Sequence, residues 1–292
     1  MVELKKIKQN KTTEELLEFG IINLDKPSGP TSFKISDSVK KILRLRKTSH
    51  FGTLDPKVTG VLPVALNRAC KLTGHFIGHD KEYVGIMRFH EKIEKEVVEE
   101  VIRNRFIGEI IQKPPVKSRV KREERPRTVY KFEIIEVSEG GKDFVFLAEV
   151  QGGTYIRKLI DDLGRELGVG AHMLELKRIR AGIFKEESSV KMYQFEEAVQ
   201  EYEKGEDKKL RDLITPGEVI YKIYEPLRIK KDNLERIFTG KPLHKEDIEE
   251  GKVKEGEIVS AFCEDRFVGI YKITKEEFAF ARPLFVMQPL KR

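Results

Sequence analysis

The chain has no tryptophan and only two cysteines, Cys70 and Cys263, in 292 residues. They lie far apart and form no CxxC pair, which excludes a disulfide framework and a cysteine-rich zinc module. A reducing, intracellular setting follows. No apolar run reaches membrane-spanning length, and Met1–Gly20 has no signal-peptide core, so a membrane or secreted protein is not expected. Long internal repeats and low-complexity tracts are also missing. His75 and His79 stand four apart, but no third ligand is near them in sequence, and no metal site is expected.

Charge is plentiful: 36% of residues are Asp, Glu, Lys or Arg, the net charge is +7 and the pI is near 9.1. Abundant Lys and Glu without Trp resembles a heat-adapted composition. Basicity alone favours a polyanionic partner only weakly, but the charge is clustered. Eight Lys or Arg (113, 117, 119, 121, 122, 125, 127 and 131) fall between Lys113 and Lys131. Pro114, Pro115, Ser118 and Pro126 make this stretch a shaped loop rather than a helix face. It is either a solvated charged loop or a phosphate-contacting surface.

The element pattern is mixed. Ile21–Leu24 reads as a short buried strand, and Thr31 or Ser32 can cap a helix striped by Ile35, Val39, Ile42 and Leu43. Residues 62–77 read as helical. Strands are expected at 83–89, 128–137 and 143–151, and helices around 97–106 and after Gly152-Gly153-Thr154. His172 reads as a packed helix-start residue. The combination argues for an α+β fold around a mixed or antiparallel central sheet. After the charged run 201–211 come short apolar segments separated by turns, which suit a small, mostly β C-terminal domain. The expected division is an N-terminal extension, 1–19, a large domain, 20–215, and a small one, 216–292.

One short stretch isolates a carboxylate inside a rigid turn: His50-Phe51-Gly52-Thr53-Leu54-Asp55-Pro56, closed by Gly60. Pro56 fixes its own φ and pushes Asp55 toward extended backbone. Such an aspartate can act as nucleophile, base or metal ligand, or simply brace the turn. It stands alongside Lys26-Pro27-Ser28-Gly29-Pro30-Thr31-Ser32, Lys81-Glu82-Tyr83-Val84-Gly85, Gly152-Gly153-Thr154-Tyr155-Ile156-Arg157 and Gly170–Leu176.

These words, in this order, resemble the TruB-type pseudouridine synthases over about residues 20–190. The stretch from Lys113 to Tyr130 resembles the archaeal and eukaryal branch, dyskerin, the catalytic subunit of H/ACA ribonucleoproteins. The short span between Tyr83 and Gly108 fits the guide-dependent branch. The C-terminal segment, clearest at Gly240-Lys241-Pro242-Leu243 and Val259–Ile273, is similar to a PUA domain, an RNA-binding β module.

The resemblance implies an isomerase that needs no cofactor, since breaking the N1–C1′ bond of uridine and rejoining the base through C5 involves no redox change. It assigns Asp55 as the catalytic carboxylate, by an ester or a glycal route, acting on a flipped-out uridine. Tyr83 matches a base-stacking tyrosine, Tyr155 and Leu176 match pocket positions, and Arg157 matches the partner of the aspartate. An arginine there would keep the carboxylate ionised in a dry pocket. His50 is expected to contact RNA or brace its loop, and Lys26 to support that loop. Lys117, Arg119, Lys121, Arg122, Arg125, Arg127 and Lys241 are candidate RNA contacts.

The implied partners are H/ACA guide RNA, rRNA or tRNA substrate, two small accessory proteins (one of them docked on the catalytic domain) and a kink-turn-binding protein reached through the guide. The extension 1–19 is expected to pack on the C-terminal domain, and the lack of a polybasic tail to suit an archaeal cytoplasmic protein. The alternatives are a synthase acting alone on the T-arm of tRNA and a catalytically silent RNA-binding scaffold.

Overall fold

The computed structural model describes residues 2–114, 121, 123–251, 253–276 and 278–288. By internal contacts the chain divides into two compact units, one of Ile22–Leu213 and one of Met1–Ile21 with Ile214–Arg292. The N-terminal residues form two short helices, α1 (Leu4–Asn10) and α2 (Thr13–Glu18). Thr12 opens α2 with a reciprocal capping box: its hydroxyl accepts from the Glu15 N–H, and the Glu15 carboxylate accepts from the Thr12 N–H.

The larger unit begins within β1 (Gly20–Lys26) and runs through α3 (Ser32–Ile42), β2 (Thr48–His50), β3 (Thr59–Leu66), a 3₁₀ turn and α4 (Thr73–Ile77). Then come β4 (Lys81–Phe89), α5 (Lys95–Arg105), β5 (Gly108–Gln112), β6 (Arg125–Val137), β7 (Asp143–Val150), α6 (Ile156–Glu166) and β8 (Ala171–Ala181). Short strands β9 (Phe184–Lys185) and β10 (Val190–Lys191) and helices α7 (Met192–Glu203) and α8 (Lys208–Leu213) complete it.

The sheet of this unit runs β10-β1-β3-β8-β4-β7-β6-β5, with β2 added to β3 and β9 to β8. β1–β10 and β3–β8 are parallel, whereas β4 is antiparallel to both its neighbours, so the α+β class with a mixed sheet is observed. One core lies on the sheet and takes in Tyr83, Met87 and Phe89 of β4, Phe144 and Phe146 of β7, Leu176 of β8 and the apolar side of α6. Phe89–Phe144 and Phe132–Phe146 meet edge-on, at centroid distances of 5.0 and 5.6 Å.

Three expectations are corrected. Residues 62–77 are not one helix: the first part is strand β3, buried on both sides, which hides the alternation that marks a strand. His172 does not start a helix. It lies exposed in β8, which pairs with β4 along its length, and its Nδ1 is 3.2 Å from His90 Nε2. The basic stretch is not wholly loop either, because Arg125, Arg127 and Lys131 belong to β6.

In the second unit, β11 (Ile214–Pro216) precedes a five-stranded sheet in the order β13-β12-β14-β15-β16. Its strands are β12 (Pro226–Ile229), β13 (Ile248–Glu250), β14 (Ile258–Cys263), β15 (Arg266–Glu276) and β16 (Ala279–Val286), with α9 (Leu234–Phe238) between β12 and β13. β12 is parallel to β14 and the other pairs are antiparallel. Within this unit the N-terminal residues join the later ones. Phe19 stacks on Phe267 at 5.6 Å, and Lys11 pairs with the buried Glu218 at 2.5 Å.

Candidate active site

The Asp55 loop connects β2 to β3 and is fixed by side chains that bond its main chain. Lys26, fully buried at the end of β1, uses all three ammonium protons on carbonyls: Pro27 at 2.8 Å, Pro56 at 2.9 Å and Val58 at 2.8 Å. Burial pushes its pKa down, and the negative charge of Asp55 partly restores it. Ser32, the first residue of α3, is buried and bonds Leu54 twice. It accepts from the Leu54 N–H at 2.8 Å and donates to the Leu54 carbonyl at 3.0 Å. The Gly29 N–H adds a bond to the Pro56 carbonyl at 2.9 Å.

The two ends of the loop are set by packing. Phe51 is buried between Phe76 and Phe184, with ring centroids 4.6 and 5.9 Å away. At the other end Gly60 has φ +98°, and a Cβ there would lie 2.2 Å from the Arg178 carbonyl of β8. Only glycine permits that strand-to-strand approach. His50 sits half-buried beside this loop, opposite Val64 in the β2–β3 pairing. Burial lowers its pKa, and the charge of Arg178 lowers it further.

Arg157 reaches the carboxylate from α6. Tyr155 precedes the helix, and its main chain is gripped by the buried Gln112 at the end of β5. The Tyr155 N–H donates to Gln112 Oε1 at 3.0 Å, and Gln112 Nε2 donates to the Tyr155 carbonyl at 3.3 Å. Arg157 therefore stands in the first turn of α6, where a cation opposes the helix dipole. Its Nη2 is 2.9 Å from Asp55 Oδ2, and that partner accounts for its place. The two side chains are 51% and 47% exposed, so the ion pair faces solvent in the chain alone.

Tyr83, on the inward face of β4, is 8% exposed, and Leu176 lies in the same core on β8. Leu54 and Val58 of the Asp55 loop, Tyr83, Leu176 and Ile156 of α6 belong to one cluster. Two flanks of Asp55, a ring, a branched aliphatic and the neighbour of Arg157 thus share one apolar floor. A carboxylate held at the edge of such a floor suits attack on, or proton removal from, a ribose whose base lies on the ring.

Other sequence candidates lie farther out. Arg127 packs against Gly153, at the turn that leads into α6; a Cβ on Gly153 would sit 3.2 Å from its Nη2. Arg125 lies on β6, Lys121 pairs with Glu123, and Lys241 is exposed in the second unit. Lys117, Arg119 and Arg122 fall outside the described residues. Sequence reasoning missed Arg178, Ser32's double bond, Gln112 and Lys81. Arg178 had a legible signal, since it stands two residues beyond Leu176 and so on the same face of a strand. Lys81 is buried beside Gly52 and donates to the Ile77 carbonyl at 2.6 Å and to that of His79; burial, then the charge of Arg178, pushes its pKa down to about 8.

Residues 40–156 match the family described as TruB family pseudouridylate synthase, N-terminal domain, and residues 157–221 match the tRNA pseudouridylate synthase B C-terminal domain. The probable tRNA pseudouridine synthase B of Methanopyrus kandleri is 40% identical over 280 residues, covering 94% of this chain and 82% of the relative. The chain belongs to the TruB family of pseudouridine synthases. Among solved structures, a Cbf5–Nop10–Gar1 complex matches with TM-score 0.87 and 36% identity, over 96% of this chain and 89% of the other. An H/ACA RNP bound to a substrate RNA containing 2′-deoxyuridine matches with TM-score 0.86 and 35% identity, over 97% and 89%. TruB-family enzymes are isomerases that convert uridine to pseudouridine, and this chain carries both parts of their sequence pattern.

Proposed function

We propose that the chain is the catalytic subunit of a guide-directed RNA pseudouridine synthase, with Asp55 as its catalytic carboxylate. The observation that carries this reading is the Arg157–Asp55 pair at 2.9 Å above a floor that includes Tyr83 and Leu176. In the reaction the N1–C1′ bond of uridine breaks, the base turns on the Tyr83 ring, and C5 bonds to C1′. The C5 proton is lost and N1 gains one, so atoms balance without a co-reactant. Arg157, 2.9 Å from Asp55 Oδ2, aims the carboxylate. Tyr155, held by Gln112, borders the place where the flipped nucleotide enters.

Guide dependence and partners are part of the same proposal. One similar complex contains Nop10 and Gar1, and the other is an H/ACA RNP bound to a substrate RNA. Small accessory proteins of that kind, and RNA held largely by backbone and shape, are the partners assigned to this chain. The second unit is read as a PUA-like RNA module on the strength of its compact five-stranded mixed sheet and exposed Lys241. An archaeal, cytoplasmic enzyme fits the Methanopyrus relative and the Lys- and Glu-rich composition.

The test is tritium release from RNA transcribed with [5-³H]uridine. The protein is assayed alone on tRNA, then with guide RNA and accessory proteins, each time beside Asp55→Asn. Release that needs both Asp55 and guide supports the proposal. Asp55-dependent release from tRNA without guide would favour the stand-alone reading. Release by Asp55→Asn at the parental rate would remove Asp55 from the chemistry.

A further inference from the structure

Helix α3 ends in a way that folding alone does not favour. The Leu45 N–H donates to the Lys40 carbonyl at 2.9 Å, and the Arg44 N–H donates to the Lys41 carbonyl at 3.2 Å. This is a Schellman closure, in which the residue after the cap turns left-handed and is usually glycine. Here it is Arg44, with φ +51°. A side chain disfavours that conformation, and arginine has no short polar group to offset it locally. A cation near a helix C-terminus is mildly favourable, but Lys40 and Lys41 already supply that charge. The ion pair of Arg44 with Glu203, at 3.3 Å, is 85% and 52% exposed and adds little.

The surroundings are cationic. From Lys34 to Lys47 stand six Lys or Arg (34, 40, 41, 44, 46 and 47) and one carboxylate, Asp37, which pairs with Lys40 at 3.1 Å and Lys41 at 2.8 Å. The turn after α3 is held in one shape by Asn67. Its Oδ1 accepts from the Arg46 N–H at 3.1 Å and the Lys47 N–H at 3.3 Å, and its own N–H donates to the Lys47 carbonyl at 2.9 Å. Asn67 is itself left-handed, with φ +41°.

At the start of α3 stands Phe33, 72% exposed. Phe33, Asp37, Lys40, Lys41 and Arg44 recur at helical spacing and so share one face. Ser32, beside Phe33, bonds Leu54, so this face begins next to the Asp55 loop. It runs about 16 Å along the 11-residue helix.

We infer that this face of α3, with the turn to Lys47, is a track for an RNA strand leaving the site. Its cations take backbone phosphates, and Phe33 stacks on a base near the flipped nucleotide. The inference rests on the reading of the chain as an RNA-modifying enzyme. A protein partner would be expected to bury a larger apolar centre than one ring. A polyanion that carries flat bases matches both the charges and the ring. Arg44 then has a reason to stand where glycine fits better, because the turn aims its charge at a phosphate.

The experiment uses the full chain with an unmodified tRNA transcript and, separately, an H/ACA guide RNA. Affinity is measured over a salt series, and urea unfolding is followed on the same preparations. Arg44→Gly supplies the residue that the turn favours. Its urea midpoint should equal or exceed the parent's, while RNA affinity falls about fivefold and the salt slope by about 1. Adding Lys41→Gln and Lys47→Gln should lower the slope by about 3. Phe33→Ser should weaken binding about tenfold at an unchanged slope, because stacking releases no counterions. Losses confined to tRNA assign the track to substrate, and losses confined to the guide assign it to the guide.

Parental affinity and slope in the triple variant on both RNAs would overturn the inference and leave the face to an acidic protein partner or to solvent. So would losses in affinity matched by a fall in the urea midpoint, which would assign these residues to the fold. The parent separates the two levels. If it binds neither RNA, the reading of the chain falls with the track; if it binds and the triple variant binds equally, only the track does.

Discussion

Arg157 and Asp55 meet across the gap between α6 and the β2–β3 loop, with Nη2 2.9 Å from Oδ2 and water able to reach both side chains. An exposed pair of this kind contributes at most about 1 kcal/mol to folding. Its value lies in where it holds the carboxylate.

Arg157→Lys should therefore lower the turnover rate about 100-fold while leaving the urea midpoint almost unmoved. Single-turnover tritium release and equilibrium unfolding on the same preparation check this. Equal losses in rate and stability would make Arg157 a structural residue.

Gly60→Ala should destabilise by roughly 2–4 kcal/mol and slow turnover as well. The new Cβ cannot coexist with the Arg178 carbonyl 2.2 Å away, so β3 must move, and the end of the Asp55 loop moves with it. Denaturation curves of the variant read the first effect. Unchanged stability would mean that β3 and β8 separate freely.

Lys81 sets a pH dependence. Its pKa is pushed down to about 8 from the ordinary 10.5, first by burial and then by Arg178. Between pH 8 and 10.5 the unfolded chain carries this proton and the folded one does not, so stability rises with pH over that window. The penalty is constant below it. Relative to Lys81→Met, the parent should gain about 3 kcal/mol from pH 7 to pH 10.5. A flat difference in unfolding free energy across that range would show that Lys81 titrates normally.

In the second unit, burial pushes the Asp247 carboxyl up, but the His244 N–H at 2.7 Å, Arg236 and Asn233 outweigh it and hold the pKa below the usual carboxylate range. Its contribution is present above about pH 4 and is lost as pH falls through the folded value. Asp247→Asn should cost about 3–5 kcal/mol at pH 7, because Arg236 is left without its charge partner. The gap from the parent should close in acid. A gap that persists at low pH would point to shape rather than charge.

The Asp55 loop was legible because Pro56 and the glycines around Asp55 restrict the backbone directly. Thr31 as a cap and the stripe of α3 were legible for the same local reason: the Thr31 hydroxyl accepts from the Lys34 N–H at 3.1 Å. Strand β3 was not, since a run buried on both sides loses the period of two, although Pro63 within it argued against a helix. Gly170–Leu176 carries good helix formers, yet pairing with β4 overrides that preference. Gln112 and Lys81 act across distances of 43 residues or on neighbouring carbonyls, and neither leaves a periodic mark.

The polar side chains that secure the loop, apart from Arg157, all grip main chain: Lys26 at Pro56 and Val58, Ser32 at Leu54, Arg178 at Gly52. A carbonyl or N–H is the same whichever residue supplies it. Thr53 and Lys57 point outward and are exposed. The loop is thus a socket of fixed form with a rewritable rim, where new outward-facing residues could retune what the enzyme accepts without reshaping the seat of its carboxylate.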